Sequence, residues 1–167
     1  MPFLHLQFNP PQLPLSGLFI SSPKDIPKVN IINISDNPFP CYAKSGDAGM
    51  DICAAEDITL PAFCWDAIPT GIYMEIPCGY ECQIRSRSGL AYKSGIQVLN
   101  SPGTIDSGYR GEVKVILKNN AYAPYDIKKG DRIAQMVFAP VTTASITEVA
   151  ELSDSERGDC GLGSTGK

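Results

Sequence analysis

The chain has 167 residues, of which 43% are hydrophobic and 19% charged, enough for one packed domain and short for two. Its 14 basic and 18 acidic residues give a formal charge of −4, which argues against a nucleic-acid or acidic-membrane binder, since both rest on clustered lysine and arginine. The only histidine is His5, so Ser-His-Asp and Cys-His nucleophilic schemes are excluded and a zinc site is not expected.

Residues 1–25 contain Pro2, Pro10, Pro11, Pro14 and Pro23 without a regular apolar period, and read as an irregular N-terminal extension. The apolar run Leu13–Ile20 is too short to span a bilayer and contains Pro14. With no secretion signal in view, the six scattered cysteines and the absence of any C-x-x-C pair point to reduced thiols and a cytoplasmic protein.

A domain is expected over 26–156, opening on a strand at Val29–Ile34. Pro38 and Pro40 break the chain before a turn at Lys44–Gly49. Short alternating runs follow: Ile72, Met74, Ile76; Tyr80, Cys82, Ile84; Val113, Val115, Leu117. Turn residues separate them at the spacing of a sandwich or barrel. Only Gly89–Ser94 and Ile146–Leu152 read as helical. The fold class is all-β.

The stretch Val98–Leu117 reads as a hairpin, with an unusual centre. Asp106 lies between Ile105 and Ser107, and Tyr109-Arg110-Gly111 follows. A connector needs small or polar residues, so this apolar–acid–aromatic–base cluster reads as a pocket wall. Arg85-Ser-Arg-Ser-Gly89 places cations, hydroxyls and a glycine amide together, a set that suits phosphate oxygens. Asp51, after Ala48-Gly-Met, reads by default as a turn cap. Gln135 interrupts an apolar strand and reads as a satisfied core amide unless a site lies beside it. The tail Arg157–Lys167 contains the strings of a dinucleotide fingerprint and an incomplete Walker A loop, but no helix follows to present amides, so both readings fail. Its glycines, hydroxyls and cations still suit an arm around a polyphosphate.

Together, Ala48–Asp51, Arg87–Ala91, Gly103–Gly111, Gly130–Gln135 and Arg157–Gly166 resemble, in order, the five motifs of the trimeric dUTPase family. The resemblance covers about residues 26–167. It implies a distorted jelly-roll β-barrel, a homotrimer with sites at subunit interfaces, dUTP as the small-molecule substrate, and Mg²⁺ on its triphosphate, with neither nucleic acid nor membrane as partner. Asp106 would orient and deprotonate the water attacking the α-phosphorus. Tyr109 would pack under the deoxyribose. The backbone from Asn100 through Gly103, Thr104 and Ile105, with the Asn100 side chain, would read uracil. Arg87, Ser88, Gly89 and Gln135 would hold phosphate oxygens, and Asp51 would reach the metal through water. The arm, 157–167, would close over a neighbouring subunit's site, with Arg157, Ser164 and Thr165 on phosphates and Leu162-Gly163 over the base.

Two positions depart from the family pattern. Leu162 stands where an aromatic usually stacks on uracil, forgoing a contribution of order 1–3 kcal/mol. Ser86 stands where many members have proline. The alternatives are a dCTP deaminase-type relative and a catalytically silent binding protein of the same fold. The deaminase would need a glutamate where Ile116 stands.

Overall fold

Apolar residues alternating with polar ones in short runs fold into eleven strands and one helix over the residues the structure describes, 26–161. The structure is a computed structural model. The strands are β1 (Asn30–Asn33), β2 (Met50–Cys53), β3 (Ile58–Leu60), β4 (Trp65–Ile68), β5 (Ile72–Glu75), β6 (Tyr80–Arg85), β7 (Ile96–Val98), β8 (Gly103–Ile105), β9 (Val115–Asn119), β10 (Tyr125–Ile127) and β11 (Arg132–Pro140). The helix α1 spans Ser88–Ser94 and stops at Gly95, whose φ of 68° is a left-handed conformation that glycine adopts without a Cβ clash. The expected extension 1–25 lies outside the described residues.

One sheet has the order β2-β11-β6-β8 and another β4-β9-β7, with two-stranded pairs β1-β5 and β10-β3 completing the fold. All of these pairings are antiparallel. Period-two alternation then sends one face of each strand inward. Ile72, Met74, Ile76, Cys82, Ile84, Val113, Val115 and Leu117 are all buried, joined by Ile52, Ile96, Ile133 and Met136 in one core. Burying side chains of this size contributes roughly 1.5–3 kcal/mol each. A fully buried amide, that of Asn119, sits at the end of β9 with its bonds satisfied. It donates to the carbonyls of Leu60, Pro61 and Ala123 and accepts from the Ala121 amide. Removing it would strand those groups at about 1–3 kcal/mol.

The expected hairpin Val98–Leu117 is more open than a tight turn. β7 and β9 form its stem, with Val98 opposite Leu117. Between them the chain leaves that sheet, and β8 adds to β6 in the other, with Gly103 opposite Ile84. The loop therefore links two sheets, and that places its side chains at their junction.

The helix expected over Ile146–Leu152 does not form. After β11 the chain has no regular structure through residue 161, and Ile146, Val149 and Leu152 are exposed. Nothing in the described chain packs against those apolar positions, and β-branched Thr143, Ile146, Thr147 and Val149 favour helix only weakly.

Candidate functional site

The junction of the two sheets forms a cleft of about 510 Å³. β8 contributes Thr104 and Ile105, the turn after it Asp106 and Tyr109, and β9 Ile116, with Ala67, Glu112 and Lys114 completing the wall. The turn is closed by the Tyr109 amide donating to the Asp106 carbonyl at 3.1 Å. Asp106 is exposed and lines the cleft, while Ile105 packs partly against the core. Tyr109 is 44% exposed and donates its hydroxyl to the Glu112 carbonyl at 3.0 Å. Gly103 is buried, and a Cβ there would lie 3.1 Å from Asn100 Nδ2 and 3.4 Å from Ile84. The backbone of β8 and the Asn100 side chain thus lie against each other.

A second cluster lies across the same sheet. β11 pairs with β2 on one flank and β6 on the other, with Gln135 opposite both Asp51 and Arg85. Asp51 is therefore in mid-strand, not the turn cap that its local sequence indicates. Its Oδ1 accepts Arg87 Nε at 2.8 Å and its Oδ2 accepts Arg132 NH1 at 3.2 Å. Arg87 also donates NH1 to the Arg132 carbonyl at 2.9 Å. Gln135 donates Nε2 to the Ser86 carbonyl at 3.0 Å. Gly49 makes room for it, because a Cβ at Gly49 would lie 2.6 Å from Gln135 Oε1. Ser88 and Gly89 open α1 beside Arg87, and both are exposed. The cleft and this cluster are carried on β8 and β11, which flank β6, and so lie about two strand spacings, roughly 10 Å, apart.

Ser86, Arg85 and Arg157 make bonds within the protein. Ser86 accepts the Val98 amide at 2.8 Å and ties β6 to β7. Arg85 turns back along its own strand to Gln83. Arg157 lies in an exposed turn, donating Nε to the Cys160 carbonyl at 3.0 Å. Leu162, Gly163, Ser164 and Thr165 lie outside the described residues.

All six cysteines are free. Cys53 follows Asp51 in β2, and burial, then the Asp51 charge, pushes its thiol above the ordinary value, which disfavours the thiolate form. Among the described residues no three His, Cys, Asp or Glu side chains gather to hold a metal. Asp51 is the carboxylate paired with the two arginines of the cationic row.

Sequence reasoning passed over three residues that the structure brings in. Arg132 completes the charge row around Asp51, and Glu112 and Lys114 line the cleft. Arg132 and Glu112 stand inside or beside motifs already recognised, but their partners lie 81 and up to 42 positions away in the chain. Only the pairing of strands reveals them.

The model of the family described as dUTPase matches residues 35–166. The chain belongs to the dUTPase family. It is 54% identical over 129 residues to the deoxyuridine 5'-triphosphate nucleotidohydrolase of Zymomonas mobilis subsp. mobilis, covering 77% of this chain and 88% of that one. The protein of the same name from Nautilia profundicola is 56% identical over 128 residues, covering 77% and 90%. The dUTPase of Staphylococcus bacteriophage 80alpha, solved with dUPNHPP, superposes with a TM-score of 0.78 at 30% identity, covering 84% of this chain and 99% of that one. A mutant dUTPase from phage phi11 of S. aureus, described with a structural Mg(II) ion, gives a TM-score of 0.70 at 28% identity, covering 74% and 97%. The all-β jelly-roll-like fold expected from the motifs is the fold observed.

Proposed function

We infer that this dUTPase-family chain hydrolyses dUTP to dUMP and pyrophosphate, which limits uracil in DNA and supplies dUMP for dTMP synthesis. The observation that carries the reading is the composition of the cleft: Asp106 and Tyr109 face it together, and Ile116 lines it beside them. A cytosine deaminase would need an acid at Ile116 to activate water against the ring, and an isoleucine offers none. Asp106 is the general base, orienting and deprotonating a water that attacks the α-phosphorus as the bond to the bridging oxygen breaks. A positioned base of this kind contributes about 10²–10⁴-fold. Positioning and charge neutralisation supply most of the rest.

The sugar lies on Tyr109, and the uracil edge meets the backbone from Asn100 to Ile105. Arg87, Ser88, Gly89 and Gln135 bind phosphate oxygens. Arg87 already uses Nε and NH1 within the protein, which fixes the plane of its guanidinium while its remaining nitrogen can meet a ligand. Mg²⁺ bound to the triphosphate would neutralise its charge. Asp51 would hold that ion through water, since each carboxylate oxygen keeps a lone pair beyond its arginine.

The nucleoside cleft and the cationic row are separate on one chain. A homotrimer, with the arm 157–167 of a neighbouring subunit closing the site, brings phosphate donors to the cleft. Arg157, Ser164 and Thr165 would meet the phosphates and Leu162-Gly163 would cover the base. Pyrophosphate release from dUTP, dCTP, UTP and dTTP, with and without Mg²⁺, tests the reading. Release from dUTP alone, and only with Mg²⁺, is the expected result, and equal release from dCTP would overturn it.

A further inference from the structure

We propose that Glu112 is a positioning residue for sugar discrimination, fixing the Tyr109 ring through a two-way clasp between the Tyr109–Val113 segment and the corner at Thr70-Gly71. This rests on the reading of Tyr109 as the deoxyribose wall. The Glu112 carboxylate is mostly buried, at 18% exposure. Its Oε1 accepts two backbone amides, Thr70 at 3.1 Å and Gly71 at 2.9 Å. In return the buried Thr70 hydroxyl donates to the Val113 carbonyl at 2.6 Å. Each segment thus satisfies polar groups of the other. Charge-assisted bonds of the first kind are about twice as strong as neutral ones.

The ring is attached to this clasp at one point and seated at another. The Tyr109 hydroxyl donates to the carbonyl of Glu112 itself. Its ring lies against Gly111, where a Cβ would come within 2.4 Å of the hydroxyl oxygen and 2.6 Å of Cζ. Side-chain rotation of Tyr109 is therefore limited at its hydroxyl end, by the bond to the Glu112 carbonyl and by the Gly111 backbone against the ring. A flat wall rejects a 2′-hydroxyl only if it cannot swing away, so rejection depends on what holds the ring.

The test is steady-state kinetics with dUTP and UTP on the full-length enzyme carrying Glu112→Ala, Glu112→Gln or Tyr109→Phe, with thermal melting as a folding control. Glu112→Ala removes the carboxylate half of the clasp, and Tyr109→Phe removes the hydroxyl bond that ties the ring to it. Each should lower the dUTP-over-UTP ratio of kcat/KM by about tenfold, part of the roughly 10²-fold that a packed wall sets against one added hydroxyl. The change should appear mainly as a lower KM for UTP. The double variant should do no more than the worse single one, because both act on one ring. Glu112→Gln keeps an acceptor for both amides and should restore most of the preference, which a purely charge-based role would not allow. A folded Glu112→Ala enzyme with an unchanged ratio overturns the proposal. If Tyr109→Ala also leaves the ratio unchanged, the sugar-wall reading fails with it; if Tyr109→Ala alone changes the ratio, only the clasp fails.

Discussion

Arg87, just past the end of β6, reaches Asp51 at 2.8 Å on the far side of β11. The two residues bracket Gln135, whose strand runs between theirs, and the register of three antiparallel strands puts three distant motifs in one row. The protein's own bonds hold that row, so its cations are oriented in advance.

Asp51→Asn removes the charge that Arg87 and Arg132 share. Both ion pairs are partly exposed, so each contributes about 1 kcal/mol or less, and melting should shift by only a few degrees, roughly what that energy yields in a chain this size. Metal use should change more. A Mg²⁺ titration of dUTP turnover is expected to show a half-saturating concentration raised several-fold, and an unmoved midpoint would remove Asp51 from the metal's hydration shell.

Asp106→Asn preserves the side chain's shape and removes its basicity. A non-hydrolysable dUTP analogue should bind about as well as before, while turnover falls by about 10²–10⁴-fold, the contribution of a positioned base. Calorimetric binding beside pyrophosphate release separates the two effects. Near-normal turnover would return Asp106 to the role of a turn residue.

The sequence marked Asp106 and Tyr109 as a pocket wall, because an acid and an aromatic between glycines are out of place in a connector, and both line the cleft. It revealed the core equally well, since Ile72, Met74 and Ile76 alternate as one buried face must. It misread Asp51 because a carboxylate after glycine looks like a cap until β11 is laid beside β2. It could not find Glu112's amide partners, which depend on a corner 41 and 42 positions away. Ile146, Val149 and Leu152 carried a helical spacing but found no surface among the described residues to pack on, and spacing alone does not hold a helix.

A chain ending at Glu156 should keep the melting temperature and oligomeric state of the full-length protein, because the core and every strand among the described residues lie before that point. It should hydrolyse dUTP poorly, having lost Arg157, Ser164 and Thr165. Size-exclusion chromatography and turnover on the same preparation check both. Full activity would show that the glycine-rich tail does not close the site.

Cys82 connects this fold to alkaline pH. It is buried in the middle of β6, opposite Phe138 on one side and Ile105 on the other. Burial, and then the neighbouring Glu81 charge, pushes its thiol from an ordinary 9.0 up to about 12. In the unfolded chain the same thiol ionises near its ordinary value. As pH rises the unfolded state therefore loses its proton first, and ionisation favours unfolding. The stabilising contribution is whole below 9.0 and is lost as pH rises from there to about 12, at about 1.4 kcal/mol per pH unit while the two states differ by one proton. Urea titrations stepped through this window should show wild type losing stability more steeply than Cys82→Ala. The variant starts lower at neutral pH because it leaves a small cavity, but has no thiol to ionise at that position. The remaining cysteines, tyrosines and lysines are common to both proteins and cancel in the comparison. Parallel curves would mean that Cys82 ionises as readily in the folded protein as in the unfolded one.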